Sequence, residues 1–323
     1  MKRCPQTRLA RRRTPGAALV AVLWAVFLAT SLGVALAVNQ QRAINRSAVL
    51  LQGQQAGYYA LGAEAWAVEV LKEDDGRVDH QDEDWAILPP AIPVPGGQVT
   101  GRLHDLQGRF NLNNLNPPGA AAADPPGDPQ FWYRALERLL NHLELDPQLA
   151  QAIGDWVDND GERRFPAGAE GPDYTLADPP YRPADGPLVS IAELRAVAGM
   201  TPAAYRRLAP YVSALPEATH LNINSASAPV LAAVLAVSVD TAAAWIARER
   251  PVDAVDQLTD YLPEESGPAQ LLDALGVASD FFALEATAQI GAGRVQLQSL
   301  IQRRELGGLA AIAVLSRRLG GDG

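Results

Sequence analysis

Carboxylates crowd one stretch of the chain, Asp155-Trp156-Val157-Asp158-Asn159-Asp160-Gly161-Glu162. A loop with Gly168-Ala169-Glu170-Gly171-Pro172-Asp173-Tyr174 follows, and then Pro180-Tyr181-Arg182-Pro183-Ala184-Asp185. Carboxylates this close repel one another unless a cation or a proton lies between them. No His or Cys stands nearby, so the ligands are oxygens alone. That donor set suits a hard cation, and calcium best, because it accepts about six to eight oxygens in flexible loops. The spacing is not that of an EF-hand. Aligning Gly161 with the invariant glycine of that loop puts Trp156 at the first ligand position and Ala167 at the last. On residues alone two other readings stay open: a solvated acidic loop without an ion, and an exported hydrolase. The latter needs two carboxyls roughly 5–10 Å apart, a condition that many pairs here could meet.

The rest of the composition narrows the choice. The chain has 323 residues and a net charge of −10, from 27 basic against 37 acidic residues. Six of the basic ones (Lys2, Arg3, Arg8, Arg11, Arg12, Arg13) stand within residues 1–13, which hold no acidic residue. Without them the balance is 21 against 37, or −16. A body so acidic repels nucleic-acid phosphates. The single cysteine, Cys4, excludes an intrachain disulfide and a thiol site in the body. The four histidines (His80, His104, His142, His220) are not at ligand spacing from one another. No phosphate-binding loop, Gly-x-Ser-x-Gly, Gly-x-Gly-x-x-Gly or His-Glu-x-x-His sequence occurs. Trp66, Trp85, Trp132, Trp156 and Trp245 read as core or interface anchors.

Behind the basic cluster, Ala17–Val38 is an uncharged run of 22 residues, about 33 Å as a helix. That is long enough to cross a bilayer, and the basic flank keeps the first residues in the cytoplasm. Ala35-Leu36-Ala37 resembles a signal-peptidase site, but the apolar run is longer than a signal peptide needs. From Asn39 to Lys72 there is no proline, and Ala43, Ile44, Leu50, Leu51, Tyr58, Leu61, Ala65, Val68 and Leu71 recur at helical spacing. One helix over Ala17–Lys72 is predicted, apolar all round and then amphipathic, with Tyr58-Tyr59 packing beneath a globular head.

Beyond Asp74-Asp75-Gly76 and the proline-rich Pro89–Gly97, two strands are predicted at Gln98–Leu106 and Arg109–Leu115 around a Gln107-Gly108 turn. Asn116–Pro129 reads as a linker. Residues 131–278 are helical in pattern, and strands return at Phe281–Ile290, Arg294–Arg303 and Leu309–Ser316. The expected class is α+β: a long N-terminal helix and a small antiparallel sheet, with a large all-α domain inserted between strands. The expected divisions are 1–16, a leader; 17–38, membrane span; 39–116, first part of the head; 117–280, the insert; and 281–323, the last strands.

Inside the insert, residues 191–208 and 229–248 form a weak repeat of short helix, turn and helix. The phrase Leu221-Asn222-Ile223-Asn224-Ser225-Ala226 is similar to the entry of helix-hairpin-helix DNA-binding modules. Those bind phosphate through glycine-exposed N–H groups. The hairpin here, Leu235-Ala236-Val237-Ser238-Val239, has no glycine, so Asn222 and Asn224 are expected to cap and bridge. A membrane-anchored DNA-binding protein remains the alternative of that class.

Arg11-Arg12-Arg13-Thr14-Pro15-Gly16 followed by the apolar run resembles the leader of type IV pilin-like proteins. The resemblance implies cleavage after Gly16 by prepilin peptidase, leaving Ala17 as an N-terminus that is methylated in that family. Major pilins carry glutamate at the fifth mature residue; here that position is Ala21. Together with the nested layout and the Asp-Trp-x-Asp-x-Asp, Gly-Ala-Glu and Pro-Tyr-Arg segments, this resembles the minor pseudopilin K family of type II secretion systems. That family implies a structural calcium site, with Asp158, Asp160, Glu170 and Asp173 as ligands. Asp185 is a fifth candidate, at a position where relatives are expected to have Asn. It further implies a non-enzymatic inner-membrane protein with a periplasmic head at the pseudopilus tip. Its partners would be other minor pseudopilins, the prepilin peptidase and the inner-membrane secretion platform, with no nucleic acid.

Overall fold

A computed structural model describes residues 15–87, 91–117, 126, 128–261, 268–306 and 309–321. The basic leader through Thr14, and residues 118–125 of the predicted linker, lie outside the described residues. Helix α1 runs unbroken over Pro15–Glu73, about 88 Å at the usual rise per residue. Its N-terminal half is exposed and packs on no other element among the described residues, and it is long and apolar enough to cross a membrane.

Two strands follow, β1 (Ile92–Val94) and β2 (Gly97–Asp105), and then the short β3 (Phe110–Asn111). The helices α2 (Pro129–His142), α3 (Leu149–Val157), α4 (Gly171–Thr175) and α5 (Pro202–Leu208) precede β4 (Val212–Ser213) and β5 (Leu221–Asn222). Next come α6 (Ala228–Leu235), α7 (Val239–Glu249), α8 (Pro268–Asp273) and β6 (Leu275–Gly276). The chain closes with β7 (Phe281–Ile290), β8 (Gly293–Leu306) and β9 (Leu309–Gly321). One antiparallel sheet has the order β1-β2-β7-β8-β9. Because β2 pairs directly with β7, from Gly97↔Ile290 to Asp105↔Phe282, everything between them leaves and re-enters the sheet at one point.

The sheet packs on α1 through small residues. Ala56, Ala60, Ala67 and Leu71 are fully buried against Val99, Leu103, Phe282, Leu284, Leu297 and Ile301. Alanine lets the helix backbone come close to the strands. Glu64 lies in the same seam, accepting hydrogen bonds from Ser299 Oγ at 2.5 Å and Arg317 Nε at 2.8 Å. Burial raises the proton affinity of Glu64, but these bonds outweigh it and hold the carboxyl below its ordinary range.

Two predictions are corrected here. Much of the apolar stripe expected to pack under the head points away from it. Ile44, Leu50, Leu51, Tyr58 and Leu61 are exposed, and Tyr59, not Tyr58, leans on the sheet. Periodicity registers large side chains, whereas this interface selects small ones. Arg109–Leu115 is not a hairpin strand either. Only Phe110–Asn111 is extended, paired in parallel with Val212–Ser213, and Leu112–Leu115 is a 3-10 turn. Phe110, Leu112 and Leu115 pack with Trp132, Leu136 and Ile153 in the core of the insert, so the head gives way to the insert at 106–109 rather than at 116.

The turn holds because its asparagines replace a sheet ladder. Asn113, fully buried, accepts from Leu188 N–H at 2.8 Å and donates to the carbonyls of Leu188 and Leu215. Asn111 and Asn114 bond to each other and to the 215–219 backbone. In the repeats, Gly199 takes the left-handed turn of the first at φ +77°. Ala236 takes it in the second at φ +57°, between α6 and α7, which cross at 112°. Asn224 bridges to Val252 N–H and carbonyl, and Asn222 ties the insert to the head through the Asp79 carbonyl, Asp105 and Ser279.

Candidate metal centre

Helix α3 delivers the acidic cluster. Its buried side, with Ala150, Ile153 and Val157, fixes the rotation so that Asp155 and Asp158 face the following loop. Asp155 is buried and accepts from the Arg164 backbone N–H at 3.1 Å and from its guanidinium at 2.8 Å. The same guanidinium contacts Asp158 Oδ2. The loop then turns back, with Gly168 N–H donating to Arg164 O at 2.8 Å and Ala167 N–H donating to Gln151 Oε1 at 2.7 Å. A Cβ on Gly168 would lie 2.1 Å from Asp155 Oδ2, so only glycine fits between that carboxylate and the returning chain. Trp156 and Tyr174 stack edge to face at 5.2 Å beneath the loop. Tyr181 anchors its far end through Tyr174 O and Ala196 O.

The fold brings three of the five expected carboxylates together. Asp158, Asp160 and Glu170 each offer an oxygen, and these lie within 4.8 Å of one another. Asp173 has both oxygens committed, one to Arg163 at 3.3 Å and one to Glu170 N–H at 3.0 Å. Asp185 is exposed and outside the group, although its charge reaches Glu170. Burial raises the proton affinity of Glu170, and the charges of Asp155, Asp158 and Asp185 add to the effect.

The donor set fits a hard divalent cation. Asp158 Oδ1 and Glu170 Oε1 are buried without a hydrogen-bond partner among the described residues, which an apolar or solvated surface would not leave standing. Two carboxylates at the separation seen here repel by about 3 kcal/mol in a surface-like dielectric. Arg164 meets Asp155 and Asp158 Oδ2, leaving Asp158 Oδ1 and Glu170 Oε1 without it. Reading carboxylates by spacing overlooks Arg164, although Arg163-Arg164 stands directly beside the acidic run. A second trio, Asp74, Asp79 and Glu83, has a different character, since Arg303 lies within it at 2.6 Å from Asp74 and bonds Asp79 with the same guanidinium.

A membrane-length helix packed under an antiparallel sheet, with a helical domain let into the sheet, defines a pilin-like subunit. The comparisons agree. The family described as type II secretion system (T2SS), protein K matches residues 108–217. Type II secretion system protein K of Aeromonas hydrophila is 34% identical over 96% of this chain and 98% of its own. The protein of that name from Pseudomonas aeruginosa is 35% identical over 97% of this chain and 95% of its own. A chain in the crystal structure of the GspK-GspI-GspJ complex of enterotoxigenic Escherichia coli superposes with a TM-score of 0.72. It is 27% identical, covering 85% of this chain and 99% of that one. The chain belongs to the type II secretion system protein K family, whose members are minor pseudopilins of the secretion apparatus.

Proposed function

We propose that the chain is a non-enzymatic tip subunit of the pseudopilus, cut after Gly16 and held in the inner membrane by Ala17–Val38 with its head in the periplasm. The observation that carries the reading is the bare face of α1. Ile44, Leu51 and Tyr58, seven residues apart, are exposed along it, continuing the apolar span. Such a stripe is a seam for neighbouring helices. Counterparts of GspI and GspJ, found together with GspK in the related complex, are its occupants. Ala21 has no carboxylate to offer the N-terminal amine of a further subunit, so this chain ends the filament. Its helix–helix contacts run downward only.

The mass of the N-terminal peptide from host membranes tests the placement. A start at methylated Ala17 is expected; a start at Val38 or an intact Met1 overturns it.

Asp158, Asp160 and Glu170 would hold calcium in a structural role, with backbone carbonyls and water completing the shell. When bound, calcium supplies the positive charge that lets these carboxylates remain ionised at close range. Binding to the folded form alone stabilises it by about 2.7 kcal/mol at a hundredfold excess over Kd. Calcium is therefore expected to raise Tm by several degrees, and Asp158→Ala or Glu170→Ala to abolish the response. Differential scanning fluorimetry with and without chelator reads both. An unchanged response in the variants removes these ligands from the assignment.

A further inference from the structure

The outer face of the sheet, away from α1, carries the opposite charge to the molecule as a whole. Register aligns Arg102, Glu285, Gln298 and Arg318 in one row across β2, β7, β8 and β9. Against this face the insert leaves a cleft of about 260 Å3, with Arg109, Val189, Ser213, Leu300 and Arg318 among its walls. Ser213 is only 3% exposed, yet its Oγ has no hydrogen-bond partner among the described residues. The half-buried Arg109 guanidinium donates no hydrogen bond to any described residue, and burial lowers its proton affinity. Glu285, the one carboxylate among the described residues of the cleft, lies 3.8 Å from His104 Nε2, and its charge together with that of Asp105 partly offsets the effect of burial on Arg109. Val189 stands at the rim 84% exposed.

We propose that this cleft is a docking site for an acidic, extended segment of a partner protein, one carboxylate meeting Arg109 and the Ser213 hydroxyl. Buried donors left open are costly unless a ligand completes them, and a guanidinium matches a carboxylate in charge and geometry. A free small anion would use the donors but not the apolar walls. A peptide with aliphatic residues beside its carboxylates uses both. The row of four strands is about 14 Å across, the length of four or five extended residues. The site is separate from the acidic loop and from the exposed stripe of α1.

The test uses the full chain in detergent micelles and a fluorescein-labelled octapeptide alternating Asp or Glu with Ile or Val, beside its Asn/Gln twin. Saturable anisotropy with the acidic peptide is expected, weakened at least about tenfold for the twin. It also weakens as salt rises from about 50 to 300 mM. Arg109→Gln and Val189→Glu each weaken it about tenfold. Val189→Glu sits on an exposed position, so its unchanged melting curve separates repulsion from misfolding. Arg294→Gln, on the same face but outside the cleft, leaves affinity within about twofold. Three outcomes overturn the proposal: no saturable binding, equal binding of the twin, or equal loss in Arg294→Gln. Light scattering that shows the cleft filled by a second copy of the chain does so as well.

Discussion

Arg303→Met lowers the unfolding free energy by about 3–5 kcal/mol at pH 8, because it strands buried charge at the joint between sheet and insert. Arg303, on β8 and 5% exposed, bonds Asp74, Asp79 and the Ser279 carbonyl while lying 4.9 Å over the Phe282 ring. Asp79 is fully buried and also accepts the Ser279 N–H at 2.7 Å. Ser279 Oγ and Asn222 then reach Asp105 at 2.8 and 2.9 Å. Thus one guanidinium neutralises a network that includes the loop after α1, the end of β2, the insert and β8. Replacing both charged partners by apolar groups costs far less than removing one.

The pH dependence identifies the charge responsible. Burial pushes Asp79 up to about 7, against the pull of Arg303 and the Ser279 N–H. A carboxyl raised in the folded state stabilises the fold as pH falls from that value toward its unfolded value near 4. Without Arg303 the folded value rises further, so Asp79 is neutral at pH 6 in the variant and charged only at higher pH. The deficit is therefore expected to be larger at pH 8 than at pH 6 in urea titrations of the full chain in detergent. An equal deficit at both would assign the loss to Asp74 or to packing over Phe282 instead.

Asn113→Ala costs a similar about 3–5 kcal/mol by a different route. The side chain is fully buried and serves one N–H and two carbonyls of the 188 and 215 segments. Truncation leaves all three facing a cavity, at about 1–3 kcal/mol each before relaxation. Asn113→Asp keeps the shape but sets a second acceptor against two carbonyls, so it is expected to be no milder than alanine. Urea midpoints decide. If Asp is tolerated, a water or a proton serves the carbonyls, and the Asn113 amide is not what holds the turn.

These two positions also mark where sequence reading stops. Local pattern was sufficient for α1, whose uncharged run and proline-free continuation need no partner to be helical. It was sufficient for the hairpin of β7 and β8, where alternation meets a Gly291-Ala292-Gly293 turn. It also located the acidic loop, because like charges at short spacing are a statement about chemistry before any fold exists. Resemblance added the family and a ligand set.

Tertiary structure alone decided the rest. Arg109–Leu115 alternates like a strand, but β2 finds its neighbour at 281–290, and the asparagines of 111–114 are satisfied by backbone near 188 and 215–219. No window of local sequence contains both halves of those bonds. The same holds for α1, where close approach to a sheet from the far end of the chain selected Ala56, Ala60 and Ala67 and left the larger residues outside. It holds again at the acidic loop. Composition counts charges, but only the folded loop separates Asp173, matched to Arg163, from Asp158 and Glu170, which keep a buried oxygen unpaired. Secondary structure follows from periodicity and turn chemistry near each residue, whereas pairing, burial and charge neutralisation depend on which distant segments share a surface.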